Sequence, residues 1–259
     1  MRPIPRAIFI KAFWAAKPLV FGFFCTLMLV SESGWAQGRK LTHANQQWLQ
    51  VYHAFRVNSK WTLLLDEGFR WRSGFSQYSQ YVVRPAVGYT FLPNWQLRLG
   101  WAHLGFFTDQ RLEKIEFRPY LEVAGKQAVG ESVIKHRFRL EHRRFHPAAE
   151  MEWGNPELHY LRWRYGLIWQ LPLFDWMLNE KARPFLLGIG DELLLNTGQS
   201  NQGIRFDQNR LMISPTLKIS AALSLSLTWN GLLTQDDSPG HFIMTHIAWM
   251  QVRHAFLRD

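Results

Sequence analysis

Leu223, Leu225, Leu227 and Trp229 alternate without a break with Ser224, Ser226, Thr228 and Asn230. A strand sends successive side chains to opposite faces, so this segment has one apolar face and one polar face. Between Trp48 and Val252 the pattern recurs in eleven segments of about ten to thirteen residues, each closed by turn chemistry. Lengths of this order match strands that cross a bilayer at a tilt. A sequence built this way predicts an all-β fold, an antiparallel transmembrane β-barrel with an apolar outer wall and a polar lumen. No segment of the alternating region is apolar enough for a membrane helix, because only half of each strand is oily.

The predicted strands are 47–57, 60–71, 80–91, 95–106, 115–124, 133–144, 158–171, 183–195, 209–219, 223–233 and 241–252. In the second, Trp61, Leu63, Leu65, Phe69 and Trp71 share a face opposite Thr62, Asp66 and Arg70. In the fourth, Trp95, Leu97, Leu99 and Trp101 oppose Gln96, Arg98 and Gly100. Aromatics gather towards strand ends, as in the girdles of a barrel at its two interfaces. A soluble sandwich also alternates, but has no reason to place Trp on so many outer faces. The connections 58–60, 92–94 and 220–222 are tight, whereas 72–79, 107–114, 146–157, 196–208 and 234–240 are longer and polar, which predicts periplasmic and external ends respectively. Two connections of the first set, 125–132 and 172–182, are not short. The second holds Phe174, Trp176 and Met177 and reads as an interfacial helical turn. Bacterial single-chain barrels carry even strand numbers. Twelve strands is therefore the expectation, the extra one falling in 39–46, with ten as the alternative. Apart from the hairpin unit no internal repeat is apparent, and no linker divides the chain.

Residues 1–36 read as a cleaved signal peptide, leaving 37–259 as the barrel. Arg2, Arg6, Lys11 and Lys17 give a basic start, 18–30 is an apolar core, and Gly34-Trp35-Ala36 ends in small residues. The core is too short for a spanning helix. The only cysteine, Cys25, lies within it, so the mature chain is expected to hold neither a disulfide nor a thiolate metal site. The formal charge of +10 falls to +7 when the four basic residues and Glu32 of the leader are removed. With no nucleic-acid motif, and with basic residues at alternating strand positions, that excess points to an arginine-lined lumen and away from nucleic acid.

The strongest constellation is charged. Lys135, Arg137, Arg139, Glu141 and Arg143 share one face of the sixth strand, flanked by Glu116, Arg118 and Glu122 on one side and Arg162 and Arg164 on the other, with Glu192 from the eighth. A charge facing lipid at mid-depth costs about 2–4 kcal/mol, so this face is expected to look inward. It reads as an Arg–Glu ladder filling and rigidifying the lumen. The alternative is an anion-selective constriction or a site for an acidic ligand, since the planar guanidinium fork matches carboxylate and phosphate. Another alternative is a lipid-modifying enzyme. Ser73, Ser76, Ser79 and His103 are its available pieces, but there is no Gly-x-Ser-x-Gly elbow and no orienting carboxylate beside that histidine. The expectation is no catalysis, no cofactor and no metal. Gly188 and Gly190 read as barrel curvature.

The chain resembles a known family, the outer-membrane barrels catalogued as domain of unknown function 2490. The resemblance rests on Trp48, Arg70-Trp71-Arg72, Arg137-Phe138-Arg139-Leu140-Glu141-His142-Arg143 and Leu161-Arg162-Trp163-Arg164-Tyr165. It continues with Gly190-Asp191-Glu192 leading to Asn196, and with Phe206-Asp207-Gln208-Asn209-Arg210. The resemblance implies a barrel in the outer membrane of a Gram-negative bacterium and supplies no substrate. The expected partners are outer-membrane lipid and lipopolysaccharide and the barrel-assembly machinery, the protein itself being a monomer. In place of a terminal aromatic, Phe256 is followed by Leu257-Arg258-Asp259.

Overall fold

The computed structural model describes residues 40–149, 156, 158–178, 181–197, 203–235 and 240–256. These form eleven strands: β1 Lys40–Arg56, β2 Trp61–Arg72, β3 Gln77–Leu92, β4 Trp95–Thr108, β5 Arg111–Val129, β6 Ser132–Pro147, β7 Leu158–Leu178, β8 Lys181–Thr197, β9 Arg205–Lys218, β10 Leu223–Gln235 and β11 His241–Phe256. Each pairs with its neighbours in chain order, and β1 meets β11 to close a barrel. The expected leader, and Leu257–Asp259, lie outside the described residues.

The expected twelve strands, or ten, are corrected to eleven. All consecutive pairs are antiparallel, so with an odd number the first and last strands run the same way, and β1 pairs with β11 in parallel from Lys40↔His241 to Phe55↔Phe256. The polar stretch at 39–46 makes no strand of its own; from Lys40 it is the first part of β1.

An internal repeat stands at this seam, where none was expected. Trp48, Gln50, Val51, His53, Ala54 and Phe55 lie opposite Trp249, Gln251, Val252, His254, Ala255 and Phe256, each beside its own kind. In-register parallel pairing puts like side chains on the same face at the same height. Phe55 and Phe256 stack at 4.0 Å, and Trp48 meets Trp249 edge-on at 5.3 Å.

Several connections are shorter than the sequence suggests, because hairpin arms extend past the alternating core. β5 runs to Val129 and turns through Gly130, whose φ of 59° a residue with a side chain rarely adopts. The expected helical turn at 172–182 is strand wherever it is described, in 172–178 and 181–182, while 179 and 180 lie outside the described residues. β7 and β8 pair from Leu161↔Thr197 to Leu178↔Lys181, with an irregularity at Pro172, which cannot donate to the ladder. At the other end, β4 and β5 join through Asp109 and Gln110, both at positive φ as a two-residue type I′ turn requires. The connection after β2 shrinks to four residues, Ser73 to Ser76. The connections after β6, β8 and β10 remain the longest, and all lie at that same end.

The alternation holds where it is clearest. Ser224, Ser226, Thr228 and Asn230 are buried inside the barrel, while Leu227 and Trp229 are exposed outside. Leu99, Trp101, Trp61 and Phe69 are likewise exposed.

Candidate functional site: the interior charge network

β5, β6, β7 and β8 each send alternate side chains into the barrel, and that parity delivers the predicted charges to one place. Glu116, Arg118, Glu122, Arg139, Glu141, Arg143, Arg162, Arg164 and Glu192 are all buried, with Glu116 and Glu141 fully inaccessible. At the end nearer the long connections, Arg118 and Arg143 both grip Glu116. Arg118 Nη2 lies 2.6 Å and Arg143 Nη2 3.0 Å from Oε2, and Arg143 Nε donates to Oε1 at 2.5 Å. Arg143 Nη1 also donates to the Tyr160 hydroxyl at 2.7 Å.

Glu141 is the hub. Arg162 Nη2 approaches its Oε2 at 2.6 Å and Arg164 Nη1 its Oε1 at 2.8 Å, with Arg139 and Arg118 farther off at 3.5 and 3.6 Å. Glu122 holds Arg139 at 2.5 Å and Arg98 at 2.8 Å. Glu192 holds Arg164 at 2.8 Å, Arg137 at 2.5 Å and Arg210 at 3.5 Å. Arg162 Nη1 reaches Asp207 at 3.2 Å. Among the described residues this is one connected network of eight arginines and five carboxylates. Cations exceed anions by three.

Taking charges out of water is costly, and only close, hydrogen-bonded counter-charges offset that cost. Here Glu116, Glu122, Glu141 and Glu192 each accept from at least two guanidiniums and Asp207 accepts from Arg162, and the forks give paired bonds. One glycine makes room for the arrangement. Gly100 sits opposite Tyr120, whose Cζ lies 2.7 Å from where a Cβ would be, and the Arg139 guanidinium stacks 4.2 Å over that ring. Gly166 faces Glu192 across the β7–β8 pair.

Of the predicted residues, only Lys135 stays out of the network. It makes no ion pair with a described carboxylate and stands directly opposite Lys126. Sequence reasoning missed Arg98, Asp207 and Arg210. Alternation already placed Arg98 on the polar face of the fourth strand, and Asp207 and Arg210 sit in a segment quoted for its resemblance. A second inward pair, Arg84–Asp66 at 2.6 Å with Gln50 bonded to the same carboxylate, was also missed.

The outer wall is not uniformly apolar. Glu67 lies between Leu65 and Phe69 on the outer face of β2, with His53 Nε2 3.6 Å away, a position the sequence reading of that strand passed over. His103 stacks on Tyr81 at 5.6 Å, and Ser76 Oγ donates to the Ser73 carbonyl; among the described residues no serine of 73–79 bonds that histidine. No three His, Cys, Asp or Glu among the described residues are grouped to hold a metal ion.

A model of the family described as "Protein of unknown function (DUF2490)" matches residues 45–241, from β1 to the first residue of β11. No curated protein and no solved structure matches the chain.

Proposed function

The chain belongs to the DUF2490 family, whose description records no function, and on that premise we propose an integral outer-membrane β-barrel with a structural role, its lumen filled by the Arg–Glu network. One observation carries this reading, the inversion of polarity across the wall. Glu116, Glu122, Glu141 and Glu192 are at most 1% exposed, whereas Leu99 is 66% and Leu227 63% exposed. In water such an arrangement leaves apolar surface unburied and charge desolvated at once. In a bilayer the outer residues meet lipid, and the inner ones meet each other.

In this reading lipid and lipopolysaccharide surround the wall, the barrel-assembly machinery inserts it after leader removal, and the protein is a monomer without enzymatic activity. Recovery in the outer-membrane fraction of a Gram-negative host, with heat-modifiable migration on a gel, tests it. Recovery as a soluble periplasmic protein overturns it.

The cation excess of the network favours a second reading, a small anion-selective channel. A steady conductance with anion selectivity that Arg139→Ala removes would establish it in place of the filled lumen.

A further inference from the structure

We infer that the tight-turn mouth of the barrel holds an anion site formed by Lys126, Lys135, Lys218 and Arg253, fitted to a polyvalent phosphate-bearing ligand. The placement follows from register and parity. Lys126 lies directly opposite Lys135 across β5 and β6, just before and after their turn. Lys218 lies opposite Ser224, and Ser224 opposite Arg253, so the other two cations occupy one row across β9, β10 and β11. All four fall on the inward register of their strands. Lys135 is within electrostatic reach of the other three, and Lys218 of Lys126 and Arg253, so the cations converge across the mouth.

Like charges placed directly opposite on a sheet repel, and here no described carboxylate relieves them. None of the four makes an ion pair with a described residue. The nearest interior carboxylates are already engaged: Glu122 by Arg98 and Arg139, Glu192 by Arg137, Arg164 and Arg210, and Asp66 by Arg84. Glu131, in the β5–β6 turn at the same end, and Asp175 of β7 make no ion pair with them. Arg253 is preset, its guanidinium 4.0 Å over the Tyr52 ring and bonded to Gln251 at 2.5 Å. Lys126 and Arg253 are exposed and Lys135 and Lys218 half-buried, which leaves the cluster open to a ligand arriving from that side. Four converging cations call for several negative oxygens on one ligand, and phosphate supplies them compactly.

The site goes beyond a structural lumen and does not depend on membrane location. Its test is titration of the full chain in detergent with tripolyphosphate by calorimetry, heat-modifiable migration verifying that each variant is a closed barrel. The expected result is saturable binding that Lys126→Gln/Lys135→Gln/Lys218→Gln weakens at least tenfold and that Arg111→Gln, at the opposite end, leaves unchanged. Absence of saturable binding, equal affinity in the triple variant, or equal weakening by Arg111→Gln overturns the proposal. Competition by dihexanoylphosphatidylglycerol assigns the phosphate to a lipid headgroup, and lack of competition to a soluble ligand; either result keeps the site and names the source.

Discussion

Arg164 donates to Glu141 at 2.8 Å through Nη1 and to Glu192 at 2.8 Å through Nη2, so one guanidinium ties β6 to β8 across β7. Removing the charge of Glu141 leaves Arg162 and Arg164 without their shared counter-ion inside the barrel. Breaking a buried pair from one side costs roughly 3–5 kcal/mol. Glu141→Gln is expected to lower the unfolding midpoint in urea, followed by tryptophan fluorescence, by a corresponding amount. An unchanged midpoint would show that the hub does not hold the strands.

Gly100 is a steric requirement of the same network. A Cβ there meets the Pro85 carbonyl oxygen at 2.6 Å and Ala86 Cβ at 2.7 Å as well as the Tyr120 ring. Overpacking of this kind costs about 1–3 kcal/mol. Gly100→Ala is expected to lower stability by that order and to displace Tyr120 from beneath Arg139. Thermal unfolding of the closed, fast-migrating band reads the first effect.

The parallel seam has a direct covalent test. Ala54 and Ala255 face one another in register and point the same way. Ala54→Cys/Ala255→Cys is expected to form an intramolecular disulfide, seen as a faster band on a non-reducing gel, since bridged Cα atoms sit roughly 4.4–6.8 Å apart. Only intermolecular bridging, or none, would reject closure between β1 and β11.

Leu99 separates a membrane wall from a soluble one. An arginine on the lipid face near mid-depth costs about 2–4 kcal/mol. At an exposed site in water the same change stays within about 0.5 kcal/mol. Leu99→Arg is expected to deplete the assembled barrel from the outer-membrane fraction, measured by the heat-modifiable band. Undiminished assembly would contradict a lipid-facing wall.

Alternation carried most of the fold, because period-two polarity needs no partner to be read. Leu227 against Thr228 announces its strand alone, and Arg139 against Leu140 announces which face looks inward. What failed were features that depend on another part of the chain. The likeness of Trp48–Phe55 to Trp249–Phe256 acquires meaning only when the two strands lie side by side, and without it the even-number rule favoured twelve strands. Residues 172–182 lost their alternation at Pro172 and in the aromatic run after it, so a paired hairpin arm read as a helical turn. In the site, the arginines of β6 and β7 were legible from parity. Lys135 has the same parity but stands too near the mouth to join the carboxylates of the network, a matter of depth that parity does not encode.

A lumen occupied by paired charges and not by water is open to a decisive measurement, planar-bilayer recording of the purified, closed barrel. A filled lumen gives no steady open conductance from the wild-type protein and measurable leak once the hub is opened by Glu141→Ala. A large, steady conductance from the wild-type barrel would contradict it.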